Sequence, residues 1–128
     1  MINKEIILTD KAPKPVGPYS QAIKTGGWVY LSGQIPIDPA TNQLVSGTIE
    51  EQTELVLKNS QRVLEAAGVS LGNVVKVSLF IGNMDDFPKI NSVYSKFFPA
   101  EPPARSTVQV ARLPTDVGIE VDMVAYLG

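Results

Sequence analysis

The sequence predicts an α+β sandwich of two layers, one sheet with two helices on a single face. Three observations carry that prediction. Strand-like and helix-like periodicities alternate as strand, hairpin, helix, strand, helix, hairpin along 128 residues. Two helices can cover only one face of such a sheet. The chain has 44% apolar and 19% charged residues, enough to bury a core as one domain over residues 1–128 without cross-links.

Lys4–Leu8 (KEIIL) reads as a short first strand. KAPKPVGPYS (11–20) follows, and its three prolines and glycine make it extended and loop-like. It is either low-complexity chain or an ordered loop closing over something, and Tyr19 favours the second. QAIKT and WVYLSGQ flank Gly26-Gly27, a two-residue hairpin signal. IPIDPATNQL is turn-rich. Thr48 and Glu51 then match a capping box, and Ile49, Val56, Val63, Leu64 and Ala67 recur at helical spacing up to Gly68. A helix is expected from Ile49 to Ala67.

VVKVSLFI (Val74–Ile81) alternates Val75, Val77, Leu79 and Ile81 against Lys76 and Ser78, the pattern of a half-buried strand. Asn83 is a candidate N-cap, with Asp85 and Asp86 placed for the helix dipole. Phe87, Ile90, Val93 or Tyr94, and Phe97 form the apolar stripe of a second helix, stopped by Pro99, Pro102 and Pro103. ARSTVQV (104–110) and IEVDMVAYL (119–127) are the last strands, expected to pair as a hairpin around Leu113–Asp116.

Alternation assigns the faces. Ile119, Val121, Met123, Ala125 and Leu127 are expected toward the helices, with Glu120, Asp122, Val124 and Tyr126 on the open side. The preceding strand is expected to put Ala104, Ser106, Val108 and Val110 on the helix side, and therefore Arg105, Thr107 and Gln109 on the open side. Trp28, Tyr30, Ser32 and Phe80 add to a face too apolar for solvent alone and too polar for a dry core. A second copy of the chain is the expected cover, so a homo-oligomer is expected. Arg105 and Glu120 would then lie on one face, within a few residues across the ladder. That arrangement fits an ion pair within the sheet as well as a guanidinium clamp for a carboxylate beside a water-orienting carboxylate.

Composition narrows the chemistry. No cysteine and no histidine are present, so thiol nucleophiles, Ser-His-Asp triads and zinc sites of the common kinds are excluded. No calcium-loop spacing appears, and no metal is expected. A formal net charge of -2 provides no basic field for nucleic acid. No stretch has the length of a membrane span, and the start has no signal-peptide core. A cytoplasmic protein is expected, with a mitochondrial matrix location left open by a removed presequence.

GPYSQA (17–22), LSGQIPIDP (31–39), EAAG (65–68), FPKINSVYSKFF (87–98) and PPARSTVQVARLP (102–114) occur in this order. Together they closely resemble the Rid proteins, the reactive intermediate deaminases or YjgF family, in particular the RidA subgroup. The resemblance spans essentially the whole chain. It implies a chorismate-mutase-like α+β fold with a mixed sheet, assembled as a homotrimer with active sites in the clefts between subunits. It implies hydrolysis of 2-imino and enamine acids, such as 2-aminoacrylate and its tautomer 2-iminopropanoate, to 2-keto acid and ammonia, with no cofactor. It matches Arg105 to the carboxylate-binding arginine and Glu120 to the water-positioning glutamate. It matches Tyr19, Ser32, Gly33 and Asn91 to pocket residues. Thr107 departs from the resemblance, because many close members carry cysteine there; its hydroxyl is expected to shape the pocket and face the substrate. The rival readings are a noncatalytic small-acid-binding or chaperone-like trimer, and an RNA-directed activity such as translation inhibition or RNA cleavage.

Overall fold

In the computed structural model, which describes residues 2–128, two helices lie on one face of a six-stranded mixed sheet. The elements are β1 (Glu5–Ile7), β2 (Ala22–Thr25), β3 (Trp28–Gln34), β4 (Ile37–Asp38), β5 (Gln43–Leu44), α1 (Ile49–Ala66), β6 (Val74–Ile81), α2 (Phe87–Phe97), β7 (Ala104–Gln109) and β8 (Ile119–Tyr126). The large sheet runs β1-β2-β3-β8-β6-β7, antiparallel throughout except for the parallel pair β6–β7. Strands β4 and β5 form a separate small hairpin inside the turn-rich stretch.

Local signals act where the sequence places them. Gly26 and Gly27 both have positive φ, +54° and +85°, as the tight turn between β2 and β3 requires. Thr48 Oγ1 accepts from the Glu51 N–H at 3.2 Å while the Glu51 carboxylate accepts from the Thr48 N–H. Such a cap is worth about 1 kcal/mol. The helix α1 ends at Ala66, with Ala67 as its C-cap and Gly68 at φ +83°. Asn83 caps a single 3₁₀ turn, Met84–Asp86, which leads into α2.

Val56, Leu57, Val63 and Leu64 of α1 and Ile90 of α2 are fully buried against Val29, Val77, Ile81, Ile119, Val121 and Ala125 of the sheet. Burying each such aliphatic side chain is worth roughly 1.5–3 kcal/mol. Two assignments differ from expectation. Val75 is exposed and Val74 takes the buried place, because an irregularity between Val74 and Lys76 shifts the register against β8. On α2 it is Tyr94 that is buried, with Val93 only half-buried.

The larger difference is topological. Strands β7 and β8 do not form a hairpin; β6 lies between them. Burial explains the order. Every second residue of β8 is buried, so β8 takes the sheet centre, while β7 has no buried residue and takes the edge. The register of β7 then follows β6: Arg105, Thr107 and Gln109 pair with Val77, Leu79 and Ile81 and lie on the helix face. Ala104, Ser106 and Val108 pair with Lys76, Ser78 and Phe80 on the open face. Both assignments reverse the expectation. Side-chain bonds agree, since Gln109 Oε1 accepts from the Met84 N–H below α2, and Lys76 Nζ donates to Ser106 Oγ.

The open face carries Trp28, Tyr30, Val108 and Tyr126, each more than a third exposed. Trp28 and Tyr126 pack with ring centroids 4.5 Å apart and their planes tilted by 44°. Among the described residues, no helix is long and apolar enough to cross a membrane.

Candidate active site

Seven residues were expected at the site, and the fold divides them into two groups on opposite faces of the sheet.

The first group surrounds Glu120 on the open face. Between β3 and β8 the pairing steps from Leu31–Met123 to Gln34–Val121, so Ser32 and Gly33 together oppose Asp122 alone. This bulge brings the Gly33 backbone under the Glu120 side chain. A Cβ at Gly33 would lie 2.8 Å from the Glu120 carboxyl carbon, so only glycine leaves that carboxylate its place. Ser32 Oγ donates to the Ser20 carbonyl, and the Ser32 N–H donates to the Gln21 carbonyl at 3.0 Å. These bonds tie the proline-rich loop to β3. The loop is ordered, and buried Gln21 holds it: its Oε1 accepts from the Thr9 N–H at 2.7 Å, while Nε2 donates to the carbonyls of Thr9 and Pro13. The Tyr19 hydroxyl accepts from the Val16 N–H. Tyr19, Ser32, Gly33 and Glu120 thus line one groove of about 330 Å³, completed by Val16, Ile35 and Pro114.

Burial raises the Glu120 carboxyl above its ordinary pKa, and the negative charge of Asp122 raises it further. Asp122 is itself raised by burial, against which a hydrogen bond from Ser78 acts. The start of β8 is fixed from the helix layer. Gln52 Oε1 accepts from the Gly118 N–H at 2.9 Å, and Gln52 Nε2 donates to the Gly47 carbonyl. Gln21 and Gln52 were not anticipated from the sequence, because an amide that bonds distant backbone leaves no local pattern.

The second group surrounds Arg105 on the helix face. Its guanidinium carbon lies 4.6 Å from the ring centre of Tyr94 and 5.4 Å from that of Phe87, both on α2. Asn91 stands four residues after Phe87 and three before Tyr94, hence on the same face of that helix. Thr107 follows Arg105 at the two-residue spacing that keeps it on the same face of β7. Among the described residues the ion pairs are Lys58–Glu54 and Arg112–Asp116, and Arg105 belongs to neither. The cation is half-buried without an anion beside it.

The expected Arg105–Glu120 pair therefore does not form within one protomer. Glu120 pairs with Phe80 and Arg105 with Val77, so they are two strands apart and three residues along. That is about 14 Å between backbones, with the side chains on opposite faces. The misplacement came from the assumed hairpin, which the insertion of β6 removes.

Comparison with known proteins covers nearly all of the chain. Residues 9–127 match the family described as Endoribonuclease L-PSP. A RutC family protein of Pyrococcus abyssi is 54% identical over 96% of this chain and 97% of its own length. A 2-iminobutanoate/2-iminopropanoate deaminase of Dermatophagoides farinae is 46% identical over 99% of both chains. The crystal structure of E. coli TdcF with bound serine superposes with a TM-score of 0.93 at 42% identity, covering 97% of this chain and 99% of that one. With its helix pair packed on a mixed sheet and sequence matches of this extent, the chain belongs to the Endoribonuclease L-PSP family, the Rid (YjgF) proteins.

Proposed function

We propose that the protein is a hydrolytic deaminase of reactive 2-imino and enamine acids, acting at sites completed between copies of the chain in a homotrimer. The observation that carries this reading is the half-buried Arg105 guanidinium with no anion beside it among the described residues. An unneutralised fork of donors suits a planar carboxylate from outside. Two relatives bear names that fit, a reactive intermediate deaminase of Arabidopsis thaliana and the Dermatophagoides farinae deaminase, and the E. coli relative was crystallised with an amino acid.

In this reading the substrate carboxylate docks on Arg105, with Asn91 and Thr107 beside it. Glu120 of a neighbouring copy, with Tyr19, Ser32 and Gly33, supplies the opposite wall. Glu120 in its ionised form accepts a proton from water as the water oxygen bonds to C2 of the iminium. The resulting carbinolamine takes that proton back on nitrogen. Its hydroxyl proton passes to Glu120 as the C=O bond forms and the C–N bond breaks. The departing ammonia then takes this proton as ammonium, leaving the 2-keto acid and an ionised Glu120. Such a substrate is reactive already, so orientation supplies much of the acceleration. Thr107 has no thiol, and no step requires one.

The test generates 2-iminopropanoate and 2-iminobutanoate with a serine or threonine dehydratase and follows ammonia and keto-acid release. Acceleration by the protein, lost in Arg105→Lys, is expected. Equal rates with the wild type and Arg105→Lys would refute the carboxylate clamp. RNA cleavage, the activity in the family's description, is the competing outcome; the net charge of -2 weighs against it. Salt-sensitive RNA binding together with RNA cleavage, without deamination, would establish it.

A further inference from the structure

We infer that Tyr94 and Phe87 are positioning residues, an aromatic cradle that holds the Arg105 guanidinium in place without consuming its hydrogen-bond donors; the inference rests on the carboxylate-clamp reading. Arginine at an edge strand ordinarily has many rotamers, and immobilising it costs rotamer entropy. Ion pairing to an acidic neighbour would fix it, but the neighbour would then compete with an incoming carboxylate. Ring faces avoid that conflict. They attract the cation through their quadrupole and offer no lone pair, so the N–H groups stay free.

The geometry is specific to this purpose in three ways. Both rings are within cation–π range of the same guanidinium carbon, at 4.6 Å and 5.4 Å. Tyr94 is itself immobile, because it is only 7% exposed and packs on Phe98 with centroids 4.8 Å apart. Finally, the buried Tyr94 hydroxyl has no hydrogen-bond partner among the described residues, so its ring face rather than its oxygen makes the contact. Burial also raises its pKa, keeping the phenol neutral despite the nearby cation, so it does not become a competing anion.

A purely structural role for the two rings makes different predictions, and a fluorinated series separates them. Replacing Tyr94 by phenylalanine, then by 3,5-difluoro- and 3,4,5-trifluorophenylalanine, holds shape nearly constant while draining the ring quadrupole. With the dehydratase-coupled assay, KM is expected to rise stepwise by about tenfold across the series, with kcat within about twofold and Tm nearly unchanged. Tyr94→Phe itself keeps the wild-type KM within about twofold, as the conservative rescue. A flat KM across the series overturns the cradle.

NMR relaxation of the Arg105 Nε–H gives a second readout that requires no turnover. Its order is expected to persist in Tyr94→Phe and to fall in Phe87→Leu, a half-buried position chosen in case Tyr94→Leu fails to fold. Unchanged order in Phe87→Leu and across the fluorinated series also overturns the cradle. If instead the wild type releases no ammonia while the side-chain order responds as expected, the deaminase reading fails and the cradle stands.

Discussion

Glu120 and Arg105 are held by opposite means. Around Glu120 the constraint is in the backbone: a bulge at Ser32–Gly33, a glycine whose missing Cβ leaves room for the carboxylate, and Gln52 bonding the N–H of Gly118 two residues upstream. Around Arg105 it is in side chains alone, since β7 is an edge strand with no buried residue and the guanidinium leans on two rings of α2. In the proposed reaction, a carboxylate that aims one water would benefit from a rigid frame. A cation that receives a separate molecule would benefit from a support that leaves its donors unoccupied. The contrast teaches that the two halves should fail differently when altered.

The largest expected effect breaks the partition itself. Arg105→Ala and Glu120→Gln should each reduce kcat/KM by about 10²–10⁴. Because these residues lie on opposite faces, the proposed site would take one residue from each copy, and co-refolding the two altered chains in equal amounts should then restore about a quarter of the sites. Failure of the mixture to regain activity, with trimers confirmed by sedimentation, would place both residues in one subunit's site.

Next comes the backbone frame. Gly33→Ala should push the Glu120 carboxylate aside and lower kcat by about 10²-fold while KM changes little, because Arg105 is untouched. A comparable rise in KM would mean that the two halves are not independent. Gln21→Ala leaves the Thr9 N–H without its partner and frees the proline loop; a loss of about 1–3 kcal/mol in urea unfolding is expected.

The smallest effect is electrostatic. Since burial, and then Asp122, raise Glu120, its ionised form is lost on acidification at a pH above the ordinary carboxylate range. The acid limb of the kcat/KM profile should lie there. Asp122→Asn removes one raising charge, lowers the Glu120 pKa and moves the limb toward lower pH. An unmoved limb would assign the titration to another group. For stability the sign is the reverse: the folded state binds the proton more readily than the unfolded chain, so Glu120 costs stability as pH rises through that window.

Much of this was legible in the chain because it is local. Thr48 with Glu51, Gly26-Gly27 and the alternation of Val74–Ile81 each specify an element from a few adjacent residues. Tyr19, Ser32 and Gly33 around Glu120 were readable through the family motifs, and the fold brings them together. Strand order was not readable. Two consecutive strands joined by a turn-forming stretch look like a hairpin, and only the comparison of their burial shows why β8 must be central and β7 an edge. That one non-local fact inverted the face of Arg105, and with it the partner that the arginine could reach. Tyr94 looked like core filling because its spacing is that of an apolar stripe; its contact with Arg105 depends on where β7 docks.

The proline loop beside the groove has a consequence for access. Its three prolines leave the unfolded segment few conformations to lose, and the buried Gln21 amide bonds the Pro13 carbonyl within it and both backbone groups of Thr9 just before it. Hydrogen exchange at the Thr9 amide, protected by that bond, should therefore follow opening of the sheet rather than local fraying. A wall with that behaviour does not swing aside to admit a molecule. In the proposed trimer, traffic through the groove would pass along its open side, at a rate set by the seam with a neighbouring copy rather than by a lid.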